Sequence, residues 1–234
     1  MTRVETQDLQ ALKKLGALAE VGWLSEQPAD FQALIASAGR WTTFPRQALL
    51  YAEGDESTAI FGLGEGMLDV SIPVSVDEEV VIYRAPPGFW IGDSGVLACS
   101  TRTLSLRAAV ESRVFRISAA ALLRILEEQP ASWTCFARLS HHNGTLAIQV
   151  LAEVLGLPPR VRFARMLLRM ASADGMVRAT QEELGRMAGM SRPAFRRSFG
   201  DLIATGVVAT TYGGVQIVDL EALHAVALAV AGDA

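Results

Sequence analysis

The spacing of apolar residues changes character along the chain, and each change predicts a different kind of element. Within residues 8–38, Leu9, Leu12, Leu15 and Leu18 recur at helical spacing, and Phe31, Leu34 and Ile35 set a second face. Ser25 and Pro28 mark a break and restart between the two. From 41 to 118 the pattern turns short and β-rich, with runs at 41–44, 48–51, 59–63, 67–74, 80–83, 103–110 and 113–117. Gly54, Gly62, Gly64, Gly66, Pro86, Pro87, Gly88 and Gly92 read as the turns between them. Short strands at this spacing predict a small antiparallel barrel or jelly roll. Beyond 118 the helical period returns. Ser118 can cap a short helix that runs to Glu128 and ends at Pro130. A longer helix is predicted over 132–157, where Trp133, Phe136, Ser140, Asn143, Ala147, Val150 and Val154 repeat every three or four residues. That is a coiled-coil-like seam, in which a polar Asn143 could fix register. The same spacing suits a helix lying on its own barrel. Gly156, Pro158 and Pro159 then stop the helix and form a hinge.

Residues 180–206 carry the densest local signals. Thr180 with Glu183 three places on is a capping box, so a helix should start at Gln181 and break at Gly189. Ser191 can cap a second helix, with Pro193 inside its first turn. Phe195, Phe199 and Leu202 form one apolar stripe, and Pro193, Arg196, Arg197 and Gly200 fall on the other side. Two short helices around a glycine turn, the second cationic on its free face, predict a helix-turn-helix. Runs at 207–209 and 215–218 around Tyr212-Gly213-Gly214 predict a β-hairpin, the wing of a winged helix. The plain alternative is a helical hairpin whose arginines are merely solvated. Phe163, Met166, Leu167 and Met170 form a face that should brace these helices, and 221–234 reads as a terminal helix packed on the wing.

Charge changes the picture only once it is divided. The net charge of −4 looks wrong for a DNA binder. Residues 1–159 carry 12 basic and 18 acidic side chains, whereas 160–206 carry nine arginines against Asp174, Glu182, Glu183 and Asp201. The positive charge therefore sits where phosphate contacts need it. The remaining composition mostly excludes. No apolar run approaches the roughly 18 residues of a membrane span, and no signal peptide is visible, so a cytoplasmic protein without a membrane partner is expected. Cys99 and Cys135 are too few for a disulfide framework, an iron–sulfur cluster or a structural zinc site. His141, His142 and His224 all lie outside the barrel, so a metal site or a nucleophilic enzyme there is not expected.

A β-roll, a long helix, a hinge and a winged helix, in that order, resemble the Crp/Fnr superfamily of the cyclic-AMP receptor protein and the fumarate–nitrate regulator. The resemblance covers about 41–220 and is most specific over 180–206, with Tyr51-Ala52-Glu53-Gly54-Asp55 and Gly88-Phe89-Trp90-Ile91-Gly92-Asp93 supporting it. It implies an α+β chain. Residues 1–130 would hold N-terminal helices and an antiparallel β-roll of the cyclic-nucleotide-binding kind, 131–157 a dimerisation helix, and 158–234 a winged helix-turn-helix. It further implies a homodimeric transcription regulator, not an enzyme, that binds double-stranded DNA through paired recognition helices, with RNA polymerase as a candidate partner. Thr180, Ser191, Arg192, Arg196 and Arg197 are the candidate DNA-binding residues. The family typically reads bases through an arginine, a glutamate just after it and a second arginine four further on. Arg192, Pro193 and Arg197 stand there, and proline cannot accept a hydrogen bond from cytosine as glutamate does.

In the roll, the resemblance makes Gly92, Asp93, Ser94, Arg102 and Thr103 the candidate effector-binding residues. Arg102 would pair with a cyclic phosphate, Thr103 would hydrogen-bond it, and Asp93 would hold a ribose hydroxyl. The other candidate partner for Arg102 is Asp93 itself. Ala147 and Ile148 stand where adenine-reading hydroxyls are usual. A cyclic nucleotide or another small effector is the candidate ligand, and selective binding of cyclic AMP is not expected. A function of a different class is a cyclic-nucleotide-binding signalling module that acts through protein partners.

Overall fold

A computed structural model describes residues 13–75, 79–172 and 174–229. The expectations for Leu9 and Leu12, and for a terminal helix beyond 229, lie outside the described residues. The chain divides into two compact units between Thr145 and Leu146, inside its longest helix.

The first unit begins with 3-10 turns at Gly16–Ala19 and Trp23–Glu26 and the helix α1 (Ala29–Ala38). Among the described residues eight strands follow: β1 (Gly39–Phe44), β2 (Leu49–Tyr51), β3 (Ala59–Glu65), β4 (Leu68–Pro73), β5 (Glu79–Ala85), β6 (Trp90–Ile91), β7 (Ser105–Ala108) and β8 (Ser112–Ser118). They form two antiparallel four-stranded sheets, ordered β1-β8-β3-β6 and β2-β7-β4-β5. Phe61, Leu63 and Val114 of one sheet pack against Leu68, Val70, Leu106 and Ala108 of the other, which is the expected β-roll. Gly62 and Gly64 are not turns. Both lie within β3, where an added Cβ would sit 2.5 Å from the Trp90 ring and 2.4 Å from the Trp41 ring. They are notches that admit two indoles. β6 and the helix α2 (Asp93–Leu97) occupy a stretch read from sequence as turns.

Helix α3 (Ala119–Glu128) starts where Ser118 accepts the Ala121 N–H at 3.2 Å. The long helix α4 (Ser132–Gly156) buries Ser132, Cys135, Phe136 and Leu139 against a second core. That core joins Leu15, Leu18, Trp23, Phe31, Ile35, Trp90 and Phe115. Trp23 packs edge-on to Phe31 and Trp90 and donates its indole N–H to the Cys135 carbonyl at 2.8 Å. Each buried ring contributes roughly 2–3 kcal/mol of transfer free energy. The N-terminal segment is thereby fastened to the roll and to the start of α4.

The second unit takes in the end of α4 and continues into α5 (Pro159–Met170), with Pro159 at its first turn. Next come the short β9 (Met176–Val177), α6 (Gln181–Met187), α7 (Arg192–Ala204), β10 (Val208–Thr211), β11 (Gly214–Ile217) and α8 (Leu220–Leu228). The wing is a three-stranded sheet, β10-β11-β9, and β9 was not foreseen. Phe163 of α5 meets Phe195 and Phe199 of α7 at 5.3 and 6.0 Å, and Phe195 stacks on Phe199 at 5.4 Å. Helix α8 packs on α5 rather than chiefly on the wing, and Arg165 Nε donates to the Ala227 carbonyl near its end.

Candidate nucleic-acid interface and effector site

The two helices around Gly189 are set by their caps. Thr180 Oγ1 accepts from the Glu183 N–H at 3.2 Å, and Glu183 accepts from the Thr180 N–H at 2.7 Å. The Thr180 hydroxyl also donates to Glu183, so it is engaged within the chain. Gly189 turns the backbone at φ +57. Ser191 Oγ then accepts from the Ala194 N–H at 3.4 Å and starts α7. Phe195, Ser198, Phe199 and Leu202 are buried, which leaves Arg192, Pro193, Arg196, Arg197 and Gly200 exposed. Among the described residues, nothing hydrogen-bonds or pairs with the guanidinium groups of Arg192, Arg196 and Arg197. Arginine is always charged and carries five donors, so this face is a cationic, donor-rich surface.

Not every arginine counted in 160–206 belongs to that surface. Arg169 grips Glu153 at 2.7 Å, and Arg165 lies 3.6 Å from the same carboxylate. Arg162 donates to the carbonyls of Val154 and Gly189 at 3.0 and 3.3 Å. These three brace the end of α4 and the turn before α7, so part of the basic charge counted over 160–206 is engaged within the chain. Tyr212, read from sequence only as part of a turn, is fully exposed at the wing tip. A large aromatic on a two-residue hairpin tip was the available signal.

In the roll, Gly92 caps α2 in the left-handed region at φ +97 and places Asp93 in the interior, only 2% exposed. Asp93 Oδ2 accepts from the Ser140 hydroxyl, and Oδ1 from Asn143 Nδ2 at 3.4 Å. Asn143 Nδ2 also donates to the Trp90 carbonyl at 3.0 Å. Burial pushes the Asp93 carboxyl above its ordinary value, with the hydrogen bonds opposing. Ser140 and Asn143 therefore face their own roll. The expected seam is corrected in its first half, because a buried carboxylate needs donors and α4 supplies them.

Arg102 is 5% exposed and does not pair with Asp93, one of its two expected partners. It donates to the Gly92 carbonyl at 3.0 Å and to the Ala59 carbonyl, with its guanidinium 4.2 Å from the centre of the Tyr51 ring. Its Nε has no partner among the described residues. Gly92, Asp93 and Arg102 are thus brought together, whereas Ser94 and Thr103 are exposed. Among the described residues no group of three or more histidine, cysteine or acidic side chains could hold a metal ion.

The family model described as the Crp-like helix-turn-helix domain matches residues 161–226, and that of the cyclic nucleotide-binding domain matches 41–129. The chain is 25% identical over 187 residues to the transcriptional regulatory protein btr of Bordetella pertussis, covering 76% of this chain and 77% of that protein. It is 24% identical over 196 residues to the transcriptional regulator LdrP of Thermus thermophilus, covering 77% and 93%. Its fold is similar to the crystal structure of a CRP-family transcriptional regulator, also from Thermus thermophilus, with a TM-score of 0.66 at 22% identity over 81% of this chain and 97% of that one.

Proposed function

The chain belongs to the Crp/Fnr superfamily, and from that premise we propose that it is a homodimeric transcription regulator that reads a two-half-site DNA operator with α7. It is a DNA-binding regulator of a non-enzymatic class. The observation that carries the site reading is the capped α7 with three arginines, unpaired among the described residues, on the face opposite its buried phenylalanines. The helix-turn-helix geometry puts such a face into the major groove. On α4, Ile148, Leu151, Val154 and Leu155 are 69, 57, 48 and 79% exposed, an apolar face that a second copy would cover. We place the regulator in the cytoplasm, with RNA polymerase as the partner it would meet at a promoter. Among the described residues no helix is long and apolar enough to cross a membrane.

Binding to random and to selected duplex DNA at two salt concentrations tests the reading. A genuine DNA binder loses affinity steeply with salt, by a log–log slope of about −0.9 per phosphate contact. Arg197→Ala is expected to cost roughly 1–3 kcal/mol on the selected operator and to relax preference at one position. Equal losses on every operator variant would demote Arg197 to a phosphate contact. A flat salt response would favour a signalling module that works through protein partners.

Gly200 offers a second check on the same face. It sits mid-helix, and among the described residues a Cβ there would meet nothing within 4 Å beyond its own helix backbone. Gly200→Ala should therefore stabilise the free protein by about 0.5–1 kcal/mol, read as a higher melting temperature. If α7 lies close against DNA, the same methyl should weaken operator binding. A more stable variant with unchanged affinity would place Gly200 outside the contact.

A further inference from the structure

From the hydrogen-bonding groups left free on α7 we propose that its half-site is read only through base acceptors and a methyl group. Guanine edges would face the arginines and a thymine methyl would face Pro193, with no base recognised through its exocyclic amine. The proposal rests on the DNA-binding reading and narrows what that surface can select.

Base contacts in helix-turn-helix proteins come from the N-terminal residues of the recognition helix. Over 191–200 the exposed side chains are Ser191, Arg192, Pro193, Arg196 and Arg197, with Gly200 offering none. Arginine has five donors and no acceptor, and proline has neither. Ser191 stands before α7 as its N-cap, where one lone pair of its oxygen accepts the Ala194 N–H. The first carboxylate on α7 is Asp201, eight residues beyond Pro193 and so about 12 Å further along the axis. On α6, the Thr180 hydroxyl is held by Glu183. The reading end of α7 thus presents donors and one apolar ring.

The major groove sorts bases by the complementary chemistry. Guanine shows two acceptors, N7 and O6, to which an arginine binds bidentately, and thymine shows an acceptor and a methyl. Cytosine N4 and adenine N6 show donors, for which Arg192, Pro193, Arg196 and Arg197 carry no side-chain acceptor. Pro193 and Arg197 are four residues apart on one face, about 6 Å along the helix. With base pairs stacked about 3.4 Å apart, the thymine and the guanine should lie within about two base pairs of each other.

The experiment uses the full chain. A preferred half-site is selected from a random duplex library, and its bases are replaced one at a time while affinity is read by fluorescence anisotropy. Uracil in place of thymine removes only the methyl, and 7-deazaguanine in place of guanine removes only the N7 acceptor. At least one uracil is expected to weaken wild type about fivefold and Pro193→Ala clearly less, because a single methyl covers less of the thymine methyl than the proline ring does, while at least one 7-deazaguanine weakens both about tenfold. An unchanged melting temperature and salt slope for Pro193→Ala show that the variant folds and still binds phosphate. The proposal is overturned if base swaps matter but neither analogue does, or if uracil weakens both proteins equally. It is also overturned if DNA binds with a steep salt slope and no sequence preference. Absence of salt-dependent DNA binding would instead fail the underlying functional reading.

Discussion

A glutamate at Leu151 is expected to leave the protein monomeric and to cut operator affinity by about 10²–10⁴-fold. Leu151 lies in the middle of the exposed apolar stretch of α4, with Ile148 and Leu155 one turn to either side. In a two-fold dimer the substitution enters the interface twice, so two carboxylates would meet in an apolar seam. An unpaired buried charge costs several kcal/mol, more than such an interface can absorb. The affinity loss follows because the second half-site contact is intramolecular only while the dimer holds. Gln149→Glu, on the opposite side of the same helix, should sediment as wild type does and bind DNA normally. A Leu151→Glu protein that remained dimeric would move the interface away from this face.

The capping box at Thr180–Glu183, the Phe195–Phe199–Leu202 stripe and the glycine turn were legible because each is set by residues within one or two helical turns. Periodicity along α4 was legible too, but not what its faces meet. Phe136, Ser140 and Asn143 share the helical spacing of Val150 and Val154, yet the first three face the roll. Helical spacing says which residues lie together; it does not say which neighbour covers them. The same limit applies to Gly62 and Gly64, whose role depends on indoles from Trp90 and Trp41, 28 and 23 positions away. Charge counting failed in a related way. Arg162, Arg165 and Arg169 add to the count of basic residues, yet Glu153 and three backbone carbonyls hold them. The cross-strand pair of Asp69 and Arg84, buried with 2.6 and 2.8 Å bonds, was invisible for want of a register.

Replacing Arg102 by alanine is expected to destabilise the β-roll by about 3–5 kcal/mol, whatever ligand is present. The change would leave the Gly92 and Ala59 carbonyls without their donors and open a cavity beside Tyr51. An arginine so engaged is poorly placed to greet a cyclic phosphate, and the side chains of Ala147 and Ile148 carry no hydrogen-bonding group with which an adenine could be read. Calorimetry with cyclic AMP and cyclic GMP should accordingly give no adenine-selective binding to wild type, and tight selective binding would sink this account of the roll. Asp93 supplies a pH signature of the same arrangement. Burial holds its carboxyl above the ordinary 3.8, so folding disfavours the ionised form. The Asp93 contribution is complete below that ordinary value and is lost as pH rises through the higher folded pKa. Asp93→Asn keeps the shape and removes the charge. Its melting temperature should therefore gain on wild type as pH is raised from about 3 to about 7. If the gap stayed constant with pH, Ser140 and Asn143 would be compensating the carboxylate fully, and α4 would hold the roll no more tightly when Asp93 is protonated than when it is charged.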